Sequence, residues 1–238
     1  MSDHAYLALL LDAPLQSWGF SSRFQRRTTG LHPTKSGVIG LICAAMGLAK
    51  GSAEERDMLP HLGGLKMTTL AIPRQPQGDP LPAIRLEDYH TVLGTRRASG
   101  AMNPDAVVTR RQYLADARFG VILAGDPAIL KRIITALEDP VWGVWFGRKS
   151  CLPAEPILRG LFENQVEAER ALLGNVPVEE FTRVEDVAAF EDGTDSYPDQ
   201  PESFGDGTSS GPDKRRYAVR RIKVVPAAIT NRQSKVED

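Results

Sequence analysis

Short apolar runs separated by turn-forming residues predict where the chain forms strands. Runs of about four to eight apolar residues bounded by Gly, Pro or Asp are typical of strands. The first of them, residues 5–13 (AYLALLLDA), is predicted to be a buried strand. The further candidates are residues 65–73, 118–124, 141–153, 178–187 and 217–225. The run 141–153 is expected to lead into a turn at Gly147, Arg148 and Lys149.

Apolar residues at helical spacing occupy the gaps between these runs. The longest such pattern begins at Lys35 and ends at Leu48, and Thr34 or Ser36 can cap its first turn. Further helices are predicted from Ser52 to about His61, from Asp126 to about Leu137 and over residues 167–175.

The order of these elements predicts an α+β fold. Strand, two helices, strand, strand, helix and strand follow one another, which is typical of helices on one face of an antiparallel sheet. This is the ferredoxin-like pattern, shared with RNA-recognition motifs. Residues 74–110 interrupt it with many Pro and Gly residues, and long insertions of this kind are often functional. Their flanks, 83–94 and 106–125, are interpreted as two arms of an extended hairpin.

The C-terminal third carries a weaker pattern. Residues 190–213 are acidic and rich in Gly, Pro and Ser, so they are predicted to be a mobile loop. We therefore expect residues 1–160 to form the main domain, including the insertion. Residues 161–226 are expected to form a smaller part that contains β structure, and residues 227–238 a frayed tail.

Charge is unevenly distributed along the chain. The net charge is −1, from 29 Lys and Arg against 30 Asp and Glu, which alone argues against a strong nucleic-acid binder. However, residues 13–53 and 214–223 contain basic residues and no acidic ones, whereas acidic residues concentrate between positions 179 and 206. A chain with separate basic and acidic stretches can bind a polyanion on one face.

Several classes of protein are not supported by the sequence. There is no apolar run long enough for a membrane helix, and the first residues lack the basic region of a secretory signal. Cys43 and Cys151 are therefore expected to be free thiols in the cytoplasm. The four histidines are scattered without metal-ligand spacing, so no metal, cofactor or catalytic group is predicted.

The start of the first predicted helix is similar to part of a phosphate-binding loop, since Lys35 and Ser36 precede Gly37. A nucleotide-binding loop needs Gly-x4-Gly-Lys-Ser/Thr directly after a strand, and here Thr34 stands where the second Gly is required. Two other interpretations stay open. The helix is a capped core helix whose Lys35 is solvated, or its N–H groups and Lys35 hold a phosphate of a polymer.

The segment just upstream mixes aromatic and basic residues and favours the polymer. Gln16 and Trp18 are followed by Arg26 and Arg27. Bases can stack on aromatic rings or guanidinium planes while other arginines hold phosphates. In the alternative interpretation, Trp18 fills an edge of the core and the arginines form a solvated rim.

Five blocks of sequence, in order, resemble the CasD family of the type I-E CRISPR Cascade complex. They are PLQSWG (14–19), PTKSGVIGLICAAMGL (33–48), DYHTVLG (88–94), RRQYLADARF (110–119) and FGRKSCLP (146–153). The resemblance implies an RRM-like, ferredoxin-like domain with a long β-hairpin thumb at about 74–112. It implies a non-catalytic subunit that binds and caps the 5′ handle of the CRISPR RNA (crRNA) in antiviral defence. The implied partners are the crRNA, the Cascade backbone subunit and the large subunit, with target DNA reached only through the complex.

The resemblance also implies which residues contact RNA. The first group lines a pocket for the handle and comprises Gln16, Trp18, Thr34, Lys35, Ser36 and Gly37. The second belongs to the thumb and its base and comprises Tyr89, His90, Thr91, Val92, Leu93 and Arg111. Arg148 and Lys149 are expected to contact phosphates from the Gly147 turn. Arg26 and Arg27 are added from their charge.

Two other functions compete with this one. Relatives in the type I-C branch are metal-independent endoribonucleases that process precursor crRNA, and such an enzyme needs groups for general acid–base chemistry. Here Tyr89 and His90 are adjacent on an extended arm, so they are expected to point to opposite faces. The other competitor is a generic module that binds an unrelated small ligand, for which handle RNA would bind no better than scrambled RNA.

Overall fold

A seven-stranded antiparallel sheet organises the chain. The structure is a computed structural model, and it describes residues 4–19, 25–74, 84–97, 99–189, 195–205 and 214–228. The strands of this sheet are β1 (Ala5–Asp12), β4 (Lys66–Ala71), β7 (Arg118–Gly125), β8 (Leu158–Phe162), β9 (Arg183–Asp186), β10 (Asp195–Ser203) and β11 (Arg216–Val225). Their order across the sheet is β10-β11-β9-β4-β7-β1-β8. A mixed fold with antiparallel sheets, as the apolar runs predict, is confirmed.

Four helices cover the two faces of this sheet. They are α1 (Lys35–Ala45), α2 (Ala53–Gly64), α3 (Pro127–Glu138) and α4 (Gln165–Leu173). Each begins at a polar cap whose side chain accepts a backbone N–H of the first turn, namely Thr34, Ser52, Asp126 and Asn164. These short side chains satisfy donors that the helix itself leaves open. The first three helices begin where the sequence predicts, whereas α4 begins at Gln165, two residues before its predicted start.

Successive side chains of β1 point to alternate faces of the large sheet, and this explains why the strand packs against a core on each face. Leu7, Leu9 and Leu11 contribute to the core that includes α1, α2 and α3, whereas Ala8 and Leu10 contribute to the smaller core against α4. Successive side chains of a strand point to opposite faces, so an unbroken apolar run produces a strand that is buried on both faces.

A second sheet is built around the predicted insertion. β5 (Ile84–Val92) pairs with β6 (Val107–Ala115) in an antiparallel hairpin over nine residue pairs. Two short strands, β2 (Leu15–Gln16) and β3 (Arg26–Arg27), pair with β6. The two extended arms are thus confirmed, while residues 75–83 and 98 lie outside the described residues.

The prediction of a strand at 141–153 is wrong. The segment is an irregular loop that ties the end of α1 to the loop after β1. Val141 donates its N–H to the Ala45 carbonyl 2.9 Å away, and the Phe146 carbonyl accepts the Ser17 N–H at 3.0 Å. Phe146 packs into the core that includes α1, α2 and α3. Apolar residues of this run are therefore buried without the alternation of a strand. The next strand of the large sheet along the chain is β8, which follows this loop.

The prediction of a mobile loop over 190–213 is also wrong for its middle part. Residues 195–203 form β10, which pairs with β11 at the edge of the large sheet. The acidic Asp199 is only 1% exposed because it is paired with Arg220. Residues 190–194 and 206–213 lie outside the described residues, as does the tail from 229. The division at residue 160 stays a prediction, and β9 joins the large sheet by pairing with β4.

Candidate functional site

A cleft of about 620 Å³ opens along the outer face of α1. Its walls are the loop at residues 17–19, the loop at 142–149 and the end of β10 with the start of β11. The basic side chains that line it are Arg27, Lys50, Arg148, Lys149 and Arg215, against the single acidic side chain of Glu55 in the described lining. A chain of almost zero net charge thus presents one cleft with a strongly basic lining.

Aromatic rings also line the cleft. Trp142 is 45% exposed and Tyr217 36% exposed, and both line the cleft together with Trp145 and Phe204. The Lys149 ammonium lies 5.6 Å from the centre of the Trp145 ring. Burial raises the pKa of Tyr217. Exposed rings beside Lys and Arg are the arrangement that binds unpaired bases and their phosphates.

Gly147 allows the 142–149 loop to approach the loop after β2. Its φ is +93°, and a Cβ at this position would lie 1.8 Å from the Ser17 carbonyl oxygen. The Ser17 N–H donates to the Phe146 carbonyl at 3.0 Å, so the two loops are joined at this point. The wall that carries Trp145 and Lys149 therefore depends on a residue without a side chain.

We expect Gly147→Ala to lower the free energy of unfolding by at least about 1–3 kcal/mol, because the backbone is strained and the added carbon overlaps Ser17. Urea denaturation measures the loss. Gly174→Ala is the matched control, since Gly174 has φ +67° but nothing lies within 4 Å of its Cβ position. Equal losses in the two variants would show that the contact with Ser17 is unimportant.

Arg148 serves mainly to hold strands together. One guanidinium nitrogen donates to the Gln112 carbonyl at 2.8 Å and the other to the Arg27 carbonyl at 3.0 Å. The guanidinium also lies 4.4 Å from the centre of the Tyr113 ring. The prediction that Arg148 contacts phosphate stays a prediction, and in this structure its two terminal nitrogens bridge β6 and β3. Lys149 is exposed at the cleft.

Gln16 and Trp18 are buried, which matches the open alternative that Trp18 fills the core. Gln16 is 0% exposed, and its amide nitrogen donates to the carbonyls of Leu11 and Ala117 at 2.9 and 2.7 Å. The Trp18 indole N–H donates to the Gln16 side-chain oxygen at 2.9 Å. Trp18 is 1% exposed and its ring centre is 5.9 Å from that of Phe146. The predicted direct contact with RNA is corrected for Gln16, because all of its side chain is enclosed.

Gly37 lies directly on the Trp18 ring. A Cβ at Gly37 would be 2.8 Å from the Trp18 ring and 2.9 Å from the Thr34 hydroxyl. Thr34 is itself 2% exposed, and its hydroxyl accepts the Gly37 N–H at 3.2 Å. The Trp18 ring thus packs against the first turn of α1. Thr34, Ser36 and Gly37 line the cleft.

The anion at the start of α1 comes from the chain itself. Asp199 accepts the Lys35 backbone N–H at 2.8 Å, which is the position a bound phosphate takes at a helix N-terminus. The Lys35 ammonium is paired with Asp186 at 3.0 Å, and Lys35 is 5% exposed. The prediction that Lys35 holds a phosphate stays a prediction, and in this structure Asp186 binds its ammonium group and Asp199 its backbone N–H.

Arg220 completes this buried group of charges. Its guanidinium donates to both carboxylate oxygens of Asp199, at 2.7 and 2.9 Å, and is also paired with Asp186. Burial lowers the pKa of Lys35, and the neighbouring Asp186 opposes that shift. Burial also acts to lower the pKa of Arg220, but its bonds with Asp199 and the charge of Asp186 outweigh burial and raise it. The four groups bind one another and fix α1 against β9, β10 and β11.

The hairpin residues form a separate group. Tyr89 is 63% exposed and lies beneath the Arg110 guanidinium, 5.9 Å from its ring centre. His90 lies 3.8 Å from Asp88, on the other face of β5, so the expected opposition of Tyr89 and His90 is confirmed. Thr91 and Val92 end the strand, and Leu93 follows with 77% exposure. The described lining of the cleft does not include these hairpin residues.

Arginines of neighbouring strands lie side by side at the base of the hairpin. β3 and β6 pair in parallel, with Arg26 beside Arg110 and Arg27 beside Arg111. Arg111 is half-buried and donates to the Thr109 hydroxyl at 3.1 Å. Of these arginines, Arg27 reaches the cleft lining. Closely spaced guanidinium groups repel one another unless an anion lies near them.

The sequence patterns missed several residues of the cleft, namely Lys50, Trp142, Trp145, Phe204, Arg215 and Tyr217. Arg215 lies in the basic stretch 214–223, so its charge was a usable signal. The two tryptophans fell in a run that was interpreted as a strand, and nothing local showed that they face a cleft.

No cluster of at least three possible metal ligands occurs among the residues the structure describes. In the same parts of the chain, no helix is both long and apolar enough to cross a membrane. Cys43 and Cys151 are buried free thiols, and burial raises the pKa of Cys43 to about 12.

Comparison with known proteins gives consistent matches. The family model described as "CRISPR-associated protein (Cas_Cas5)" matches residues 6–223. The "CRISPR system Cascade subunit CasD" of Escherichia coli (strain K12) is 31% identical over 182 residues, which is 73% of this chain and 78% of that protein. A chain of a solved "CRISPR RNA-guided surveillance complex" superimposes with a TM-score of 0.71 and 29% identity, covering 93% of this chain and 90% of that one. A "Crystal structure of Cas protein" superimposes at 0.62 and 29% identity, covering 93% and 95%.

Proposed function

The chain belongs to the Cas5 family of CRISPR-associated proteins, and from this membership we propose that it is the Cascade subunit that binds the 5′ handle of crRNA. The observation that carries the proposal is the cleft along α1, whose lining includes both cations and exposed aromatic rings. Such a lining suits a single strand whose bases are splayed apart. A duplex offers its phosphates but keeps its base faces stacked, so exposed Trp and Tyr rings would be unused.

The fold supports this proposal. We propose that the chain contains a ferredoxin-like domain, and the strand order β8-β1-β7-β4, with α1 following β1 and α3 following β7, supports this. The predicted boundary at 160 falls within β8, so we assign the residues up to the end of β8 to this domain, with β5 and β6 as its thumb. The part after β8 then adds β9, β10 and β11 at the edge next to β4.

Within this proposal the residues have different roles. Lys50, Lys149 and Arg215 neutralise handle phosphates, and Trp142 and Tyr217 stack on its bases. Ser36 and Gly37 allow the RNA to approach the first turn of α1 closely. Thr34, Gln16 and Trp18 hold that helix in place. Arg26, Arg27 and Arg111 extend the basic surface towards the thumb. There, Tyr89 to Leu93 contact the nucleotides where handle meets spacer, and neighbouring Cascade subunits.

We propose that the subunit is not an enzyme. The described residues that line the cleft include no histidine, and His90 and Tyr89 lie on opposite faces of β5. General acid–base cleavage requires two groups at one scissile phosphate. Incubation of the purified chain with a repeat hairpin in EDTA tests this directly, and cleavage there would support the endoribonuclease instead.

Co-purification is the experiment that tests the proposed function. The tagged chain is expressed with a CRISPR array and its neighbouring genes, and the RNA bound to it is sequenced. We expect uniform short RNAs with a common 5′ handle in a multi-subunit particle. A free chain that carries no defined RNA would contradict the proposal.

Two exposed cleft residues provide a quantitative prediction. Trp142→Ala is expected to weaken handle binding about five- to 150-fold, as loss of one stacked base does. Arg215→Ala is expected to reduce the salt slope of binding by about one. Fluorescence anisotropy over a range of salt concentrations measures both effects. Arg170→Ala is the matched control, because Arg170 is exposed on α4 across the sheet from α1 and should leave binding unchanged. A salt slope that changes equally in both arginine variants would rule out a specific role for Arg215.

A further inference from the structure

The chain turns from the hairpin into the large sheet between β6 and β7. We call this turn, residues 116–117, the elbow. Asp116 has a φ of +51°, and in the part of the chain that the structure describes it is the one residue other than glycine with a positive φ. A side chain disfavours this conformation, although Asp adopts it more readily than most residues. Backbone strain of this kind persists only where the surrounding contacts hold the residue in place.

Arg74 is one of the groups that hold the elbow. Its Nε donates to the Asp116 carbonyl at 2.9 Å. The Asp116 N–H donates to the Pro14 carbonyl at 2.9 Å, and the Gln16 side-chain amide donates to the Ala117 carbonyl at 2.7 Å. The last two bonds come from the segment after β1, whereas Arg74 follows β4, where the chain leads to the hairpin. Arg74 thus ties the start of the insertion to its end.

Asp12 anchors the guanidinium of Arg74 from the other side. The Arg74 Nη2 donates to one Asp12 carboxylate oxygen at 2.5 Å, and Nη1 lies 3.5 Å from the other. Asp12 is the last residue of β1 and is 4% exposed, so the large sheet fixes the position of its carboxylate. Hydrogen bonds between a guanidinium and a carboxylate are among the strong ones in proteins, and two such contacts also fix the orientation of the guanidinium plane.

The other cation near Asp12 binds it less closely. Arg118 Nε lies 3.5 Å from the Asp12 carboxylate, and it has no hydrogen-bond partner among the described residues. Arg118 therefore balances charge, whereas Arg74 makes the directed contacts.

We propose that Arg74 is a positioning residue that sets the angle at which the thumb leaves the large sheet. One planar guanidinium reaches both the carboxylate of Asp12 on the sheet and the carbonyl of Asp116 at the elbow, so it fixes the distance between them. The inference rests on the proposed function, since the thumb is expected to contact RNA where handle meets spacer. A thumb that swings would meet this junction in many orientations, and the entropy lost in ordering it would weaken binding.

Distances between two spin labels test the inference on the full chain without RNA. One label is attached to Ala106→Cys, at the end of β6 far from the elbow, and the other to Lys131→Cys, which is exposed on α3. The two native thiols are buried, so the introduced thiols react selectively. We expect a narrow distance distribution in the parent chain and a clearly broader one when Arg74→Met is added.

Two further variants separate the angle of the thumb from the stability of the fold. Arg159→Met is the matched control, because Arg159 is paired with Glu155 outside the hairpin, and the distribution should stay narrow. Arg74→Met removes a partner of the buried Asp12, which destabilises the fold. Asp12→Asn combined with Arg74→Met leaves no unpaired carboxylate and should still broaden the distribution. If both chains that carry Arg74→Met kept the narrow distribution of the parent chain, the inference would be overturned.

Two RNAs divide the effect on binding. An RNA that comprises only the handle should bind the parent chain and Arg74→Met equally. An RNA that continues into the spacer should bind Arg74→Met about three- to tenfold more weakly. Arg74→Lys keeps a charge beside Asp12 but offers a single nitrogen, so it should recover stability without recovering affinity for the longer RNA. Equal affinity of the longer RNA for the parent chain and Arg74→Met would contradict the inference.

Failure of the proposed function has a different signature. Neither RNA would then bind the parent chain better than scrambled RNA, while the label distances would still distinguish Arg74→Met from the parent chain.

Discussion

Arg220→Met is expected to lower the free energy of unfolding by about 3–5 kcal/mol. The substitution keeps most of the side-chain volume but leaves Asp199, which is 1% exposed, without its two guanidinium bonds. Asp186 keeps Lys35 as a partner, whereas among the described residues Asp199 keeps only the N–H at the start of α1. An unpaired carboxylate in a low-dielectric interior is costly because water no longer solvates it.

Urea denaturation measures this loss of stability, provided that the free energy of unfolding falls with urea concentration at the same slope in both variants. Lys223→Met on the same strand is the control, since Lys223 is exposed and its replacement should change stability by no more than about 0.5 kcal/mol. If Arg220→Met were as stable as Lys223→Met, the buried charges would not hold α1 to the C-terminal strands.

The second large effect is expected at Trp18. Trp18→Ala should lower the free energy of unfolding by about 3–5 kcal/mol, because it leaves a cavity beneath Gly37 and beside Phe146. It also leaves the buried Gln16 side-chain oxygen without the indole donor. Denaturation followed by near-UV circular dichroism measures the loss.

Comparing Trp18→Ala with Trp142→Ala distinguishes a residue of the core from a residue of the proposed RNA site. Trp142→Ala should cost little stability and much RNA affinity, whereas Trp18→Ala should cost stability first. Trp18→Phe restores most of the apolar volume and should recover part of the lost stability. A Trp18→Ala chain that kept its stability but lost RNA affinity would instead support direct stacking of a base on Trp18.

Local patterns predicted the elements of the core well. The apolar run of β1, the Thr34 cap of α1 and the Asp126–Pro127 start of α3 are features that a few neighbouring residues determine. β10 could not be predicted in this way. Its Asp, Ser, Pro and Glu residues resemble a loop, and the strand exists because Asp199 meets Arg220 on β11 and Lys35 on α1.

The site was predicted only in part, for a related reason. Thr34, Ser36, Gly37 and Lys149 do line the cleft, and their blocks of sequence carry the family resemblance. Gln16, Trp18 and Lys35 carry the same resemblance but are buried supports. A motif shows that a residue is needed, and the packing around it decides whether it touches a ligand.

The buried charges also affect the order of events in folding. They join residue 35 to residues 186, 199 and 220, so this contact closes only when β9, β10 and β11 have reached α1. Until then each charge is solvated separately, so we expect a contact over such a sequence separation to form late. We therefore expect its interactions to be absent from an early transition state and to act on the unfolding rate. The cleft should then be slow to open once it has formed, and the rate at which the chain first collapses should not depend on the network.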